Sequence, residues 1–439
     1  MSGSSFCVHP DIATRCRSVR RQTLDLCKPL TAEDMMVQSC PEASPAKWHL
    51  AHTAWFFESF VLQEFLPDYR LFNAEYPWLF NSYYRSFAAF PEKRLRASFS
   101  RPGLDEVLDY RVHVDQGILR LLGEDPPAEA LRRIELGLNH EEQHQELLLT
   151  DILNAFYTNP LRPAYLTGDD EKPFATETAE QSFQEFAGGL CEVGYDGEGF
   201  CYDNEEPRHR VWLEPFALAN RLATCGEYAE FIAEGGYLRP DLWLSDGWDA
   251  IERNHWRAPL YWSLDPRGGQ QSWKIFTLRG EFSAEQMAYL PVSHLSFYEA
   301  DAFARWAGNR LATELEWEVA TEGRIPSGNL LSSGLLHPAG AGLNTENDVV
   351  QLFGDCWEWT SSAYLGYPGY QPPSGALGEY NGKFMSGQMV LRGGSCVTPE
   401  AHIRATYRNF FAPETRWQFS GIRLAKASET MGRRSQSKP

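Results

Sequence analysis

The chain has 439 residues, 43% of them hydrophobic, with 14 Trp, 26 Phe and 19 Tyr, which is enough apolar bulk for two or three packed domains and excludes global disorder. Its formal charge of -19 argues against nucleic acid or an anionic membrane surface as the main partner. No apolar run approaches a membrane span, the opening "MSGSSFCVHPDIATR" lacks a secretory pattern, and nine cysteines show no C-x-x-C pair. The expectation is a cytoplasmic protein with reduced thiols.

From about residue 10 to 160 the pattern is helical. "DIATRCRSVRRQTLDLC" is the first amphipathic stretch, and "SPAKWHLAHTAWFFESFVLQEF" the second, with Ser44 placed to cap and Pro45 suited to the first helical position. "GLDEVLDYRVHVDQGILRLL" is the third. The fourth runs from Pro127 through "AEALRRIELGLNHEEQHQELLLTDILNAFY". Four helices with one long connection, residues 66 to 102, predict an antiparallel bundle. That connection holds the aromatic-rich "EYPWLFNSYYRSFAAFPEKRLRASFSRP", and long structured loops of this kind often carry function.

After "NPLRPAY" short apolar runs are punctuated by Gly, Pro and aromatic residues, and only "TCGEYAEFIAEG" and "SFYEADAFARWAGN" read clearly as helices. The class is therefore α+β and multidomain: residues 1–165 a helical bundle, 166–185 a linker, 186–428 a mixed domain, and 429–439 a polar tail. There is no tandem repeat.

In "LNHEEQHQELLLTD" His140 and His144 lie one helical turn apart, about 40° from each other around the axis, next to an apolar face of Ile134, Leu138, Leu148 and Ile152. Alone, such a pair is more often structural than ligating. Glu146 stands about 200° from His144 and cannot complete a site from this helix. The second helix offers His49 or His52 among Trp48, Trp55 and Phe56, and spacing does not choose between them. Inward histidines on two helices are how metal sites are built in bundles. Three imidazoles with open positions suit Zn, or Fe(II) that binds both substrate and dioxygen.

The first half resembles DinB-type bundles, through "HLAH" and "HEEQHQE". The second half resembles the formylglycine-generating-enzyme module, a C-type-lectin-like fold. It does so through "DNEEPRHRVWLEPFALANRLATCGEYAEFI", "PVSHLSFYEADAFARWAGNRLATELEWEVA", "GDCWEWTSSAY", "VLRGGSCVTPEAHIRATYRNFF" and "FSGIRLA". The two together resemble the ergothioneine-biosynthesis sulfoxide synthases, non-haem iron enzymes that join a cysteine-type thiol to hercynine (Nα-trimethylhistidine) and oxidise the sulfur.

This resemblance implies Fe(II) as cofactor, held by His52, His140 and His144, with dioxygen as co-substrate and hercynine and L-cysteine as small-molecule substrates. It also implies that Gln143, Asn409, Phe410 and Tyr380 contact substrate, and that Arg96, with Lys93 and Arg101, clamps the thiol substrate's carboxylate. Tyr83 or Tyr84 of "NSYY" would supply a catalytic phenol. Trp357 and Trp359 read as core. Joining C–H to S–H removes two electrons and sulfoxidation two more, so one dioxygen accepts all four.

Synthases that use γ-glutamylcysteine resemble one another in an Asp shortly after "RN" and an Arg a few residues on. Here Phe411 and Thr415 stand in those places, which implies free L-cysteine as donor. The rival readings are the γ-glutamylcysteine branch and an ovothiol-type synthase acting on histidine, although the latter resembles a longer chain with a methyltransferase. Formylglycine-generating activity would need a cysteine pair after "RGGS", where this chain has Cys396 alone.

Overall fold

The structure, a computed structural model, describes residues 10–82, 84–85, 89–167, 174–265, 272–343 and 348–428. It divides into two compact units: residues 1–159 with 374–380, and residues 160–373 with 381–439. This differs from the boundaries read off the sequence in three ways. The second unit begins at residue 160 and not after residue 165, the strand Phe183–Phe186 begins inside the expected linker, and residues 374–380 group with the helical unit.

In the helical unit the long helices are Pro10–Cys27, Ala46–Phe57, Leu104–Gly123 and Ala128–Thr158. The second packs against the third and fourth, and the first against the fourth. Every residue of Ala46–Phe57 is buried, as expected of a helix surrounded by others, so its polar side chains all need partners. Lys47 Nζ donates to the carbonyls of Phe99, Ser100 and Pro102. The helix runs on through a wider turn, Glu58–Leu62, where the buried Glu58 accepts from Tyr69, Tyr110 and the Phe72 backbone.

Pro45 holds the N-cap position of the second helix in an extended conformation, and no side chain caps it. Ser44 does not cap as expected. Its N–H donates to Asp151 and its hydroxyl accepts from Arg96, because buried polar partners nearby outcompete the helix end.

The second unit contains two four-stranded sheets. One orders Phe183–Phe186, Phe216–Ala219, Leu424–Ala427 and Arg310–Leu311, all antiparallel. The other orders Asn409–Phe411, Met389–Arg392, Trp357–Ala363 and Ser420–Gly421, with the last pair parallel. Trp357 and Trp359 are core. The expected helices appear as Cys225–Ala233 and Phe297–Trp306, with Ser245–Asn254 and Glu314–Ala320 in addition. Ser245–Asn254 carries Gly247 in its first turn and few apolar residues, and Glu314–Ala320 spans only two turns, so neither reads clearly as a helix. Thr224, Ser296 and Thr313 each close a capping box with the Glu three residues on.

Buried arginines tie this unit together: Arg392 and Arg408 to Glu314, Arg423 to Glu358, and Arg416 to Glu299. No described helix is long and apolar enough to cross a membrane.

Candidate metal centre

Gly137, one turn before His140, decides how closely the fourth helix can approach the second. A Cβ there would fall 2.5 Å from Cε1 of Phe57, so any larger residue would have to displace that buried ring. The result brings His140 and His144 to His52. All three are buried, and their candidate ligand atoms lie within 4.8 Å of one another. The helical spacing points to His140 and His144 as a pair, and the resemblance alone to His52.

The hydrogen bonds place the protons. His52 Nδ1 lies 2.6 Å from the Phe80 carbonyl, which can only accept, so Nδ1 carries the proton and Nε2 keeps a lone pair. That Nε2 is buried without a hydrogen-bond partner. His140 Nε2 and His144 Nε2 face each other at 3.1 Å, and His144 Nδ1 is 2.8 Å from His49 Nδ1. Burial holds the pKa of His52 and His144 well below the ordinary histidine value and brings that of His140 to about 3. All three rings are neutral at pH 7, which is the form that binds metal. Converging neutral imidazoles with an orphaned buried nitrogen fit a divalent transition metal.

Aromatic rings enclose the cluster. Trp48 stacks on His52 with centroids 4.3 Å apart, and Trp55 lies 5.2 Å away nearly parallel to it. Arg96, only 5% exposed, sits 3.5 Å over Trp48 and donates to Ser44 and Ser82. Burial lowers its pKa to about 9, against the opposing pull of Asp151. Its Nε has no partner among the described residues. Arg96 and Arg101 line one hollow with Trp48 and Phe80, whereas Lys93 is exposed and does not line it.

Gln143 accepts a short hydrogen bond from the Tyr380 hydroxyl, and the Tyr380 ring lies 5.8 Å from that of His140. Tyr84 is fully buried, its ring 5.1 Å from Phe60 and 5.7 Å from Trp55. Phe56 touches both Tyr84 and His140. Tyr83 lies outside the described residues.

In the second unit, Asn409 opens the strand Asn409–Phe411, and its side-chain oxygen accepts from Phe410 N–H. Phe410 stacks on Tyr364 at 4.0 Å. Phe411 packs near Trp417 and Thr415 is buried. The neighbouring Arg416 is committed to Glu299 and the Ala258 carbonyl, over the ring of Trp256.

Sequence reasoning missed the Phe80 carbonyl and the Asp151–His49 contact. A carbonyl leaves no trace in residue identity. Asp151, two turns from His144 on the same face, was visible on the helical wheel but had no partner to suggest its role.

Residues 15–148 match the DinB superfamily, and residues 171–331 and 331–428 match the sulfatase-modifying factor enzyme 1-like domain. The chain is 30% identical over 445 residues to a hercynine oxygenase of Mycolicibacterium smegmatis, covering 94% of this chain and 98% of that one. It is 32% identical to a hercynine oxygenase of Mycobacterium tuberculosis, over 66% of this chain and 70% of the relative. A formylglycine-generating enzyme of Streptomyces coelicolor is 26% identical over 53% of this chain and 85% of its own.

Proposed function

We infer the reaction from one premise: the chain belongs to the hercynine oxygenase family, and it is an oxygenase of ergothioneine biosynthesis that uses dioxygen. The reading is an iron(II)-dependent sulfoxide synthase that joins L-cysteine to hercynine and yields hercynyl-cysteine sulfoxide. The observation that carries it is the buried convergence of His52, His140 and His144, in a chain similar to hercynine oxygenases over nearly its whole length.

Iron(II) held by these imidazoles would supply dioxygen activation and a binding position for the thiol. The rest falls to the chain's own residues. Arg96 has the charge to meet the carboxylate of cysteine, and Arg101 lines the same hollow. Gln143, positioned by the Tyr380 hydroxyl, is offered to hercynine. The Asn409 amide nitrogen is offered to the hercynine carboxylate, and the Phe410 ring to its trimethylammonium group. Trp48, Trp55 and Phe56 around the cluster exclude water from the reacting sulfur. A phenol of the Tyr83–Tyr84 pair would hold the proton exchanged with oxygen.

Free cysteine is the preferred donor in this reading. Phe411 and Thr415 present no charge to the ends of a γ-glutamyl group, and Arg416 is engaged with Glu299.

The test is iron content with aerobic turnover on hercynine and on histidine. His52→Ala, His140→Ala and His144→Ala should each lose iron and turnover, and hercynine should have the higher kcat/KM. Retained iron and activity in His52→Ala, with both lost in His49→Ala, would move the ligand to His49. A preference for histidine would favour the ovothiol-type reading.

A further inference from the structure

We propose that Asp151 and His49 form a relay that fixes the His144 proton on Nδ1 and so keeps Nε2 presented to the metal. The inference rests on reading the three histidines as a metal centre, and it assigns two buried residues that the proposed chemistry leaves without a task.

The chain of contacts has one direction. Asp151 Oδ2 already accepts from Ser44 N–H at 2.8 Å, and His49 Nε2 lies 3.1 Å from the same oxygen. An oxygen that accepts from the backbone accepts from His49 as well, so the His49 proton sits on Nε2 and its Nδ1 bears a lone pair. His144 Nδ1, 2.8 Å from that lone pair, must be the donor. Its Nε2 is left unprotonated and points at His140. The Phe80 carbonyl fixes His52 with the same outcome, so two ligands on two helices are set by unrelated acceptors to offer the same nitrogen.

His49 and Asp151 are positioning residues: they act through His144. Outer partners of ligating histidines orient the ring and set its tautomer, and losing one typically costs about 10–100-fold in metal affinity. Asp151 also holds the backbone at Ser44, the residue that receives Arg96. The same carboxylate therefore steadies the start of the helix that carries His52.

The experiment is Co(II) titration of the metal-free full chain, paired with proton NMR of the Co(II)-loaded protein to follow shifted, exchangeable imidazole N–H signals. His49→Leu removes the acceptor from His144, whereas His49→Asn keeps an oxygen near the place of Nδ1. His49→Leu should bind Co(II) about 10–100-fold more weakly and lose one slowly exchanging N–H signal. His49→Asn should stay close to wild type in both. Asp151→Ala, read the same way, carries the test if His49→Leu does not fold, and should weaken binding. Equal weakening in folded Leu and Asn variants, or wild-type affinity in His49→Leu and Asp151→Ala, would overturn the relay while leaving the metal centre standing. Failure of the wild type to bind Co(II) would overturn both.

Discussion

A buried neutral histidine makes a protein sensitive to acid, and His294 is a separable case because it belongs to the second unit, whereas the candidate ligands belong to the first. Its ring packs 4.6 Å from Tyr261 and 4.4 Å from Phe419. Burial brings its pKa from 6.5 to about 3, opposed by the nearby backbone of Trp417 and Gln418. The unfolded chain takes up this proton near pH 6.5 and the folded chain only near pH 3. Stability from this site is therefore full above about pH 6.5, falls with pH across that window and is flat below it. By pH 5 the loss is on the order of 2 kcal/mol. Asn tolerates the positive φ of 64° at this position and does not titrate. His294→Asn should thus lose less stability than wild type between pH 7.5 and pH 5 in urea unfolding. Parallel pH profiles would contradict the assignment.

Among the elements, the four long helices meet at one buried charge. Glu141, next to His140, accepts from Arg20 and Thr23 of the first helix and Arg111 of the third. Arg111 in turn donates to Leu50 and Thr53 of the second. Removing one member of such a network strands a buried charge, which costs about 3–5 kcal/mol, whereas replacing both partners by apolar groups is often neutral. Glu141→Leu should lower the unfolding free energy by that amount, and adding Arg111→Met should recover much of it. A Glu141→Leu protein as stable as wild type would show that the network does not hold the bundle.

None of this network was legible in "LNHEEQHQELLLTD", where Glu141 reads as one more polar helix residue. The helices themselves were legible, because 3.6-residue periodicity persists over many turns. Ser245–Asn254 and Glu314–Ala320 of the second unit were not. The i, i+4 histidines were legible as a pair. Choosing His52 over His49 took the resemblance, since both histidines are buried and both contact His144.

For the whole molecule, the choice of thiol donor is where residues far apart in sequence bear on one outcome. In the proposed reading Phe411 and Thr415 present no charge to a γ-glutamyl group, and the neighbouring Arg416 is engaged with Glu299 and Trp256. An unpaired polar group in a desolvated site costs about 1–3 kcal/mol and a charged one more, enough to reverse a preference by ten-fold or more at about 1.4 kcal/mol per decade. L-cysteine should therefore show the higher kcat/KM in parallel assays, and a higher value for γ-glutamylcysteine would place the chain in the other branch. Tyr83→Phe/Tyr84→Phe should abolish sulfoxide formation. Full activity in that double variant would remove the phenol from the mechanism.

The central claim is that three buried histidines hold iron for a reaction in which dioxygen alone accepts the four electrons of C–S bond formation and sulfoxidation. It is tested most directly by oxygen uptake measured against product by mass spectrometry. The assay uses iron-loaded protein with hercynine and L-cysteine and no added reductant. One dioxygen should be consumed for each hercynyl-cysteine sulfoxide formed, with neither oxygen uptake nor product in His144→Ala. Turnover that needs an external reductant, or product formed without oxygen or by the iron-free His144→Ala protein, would contradict it.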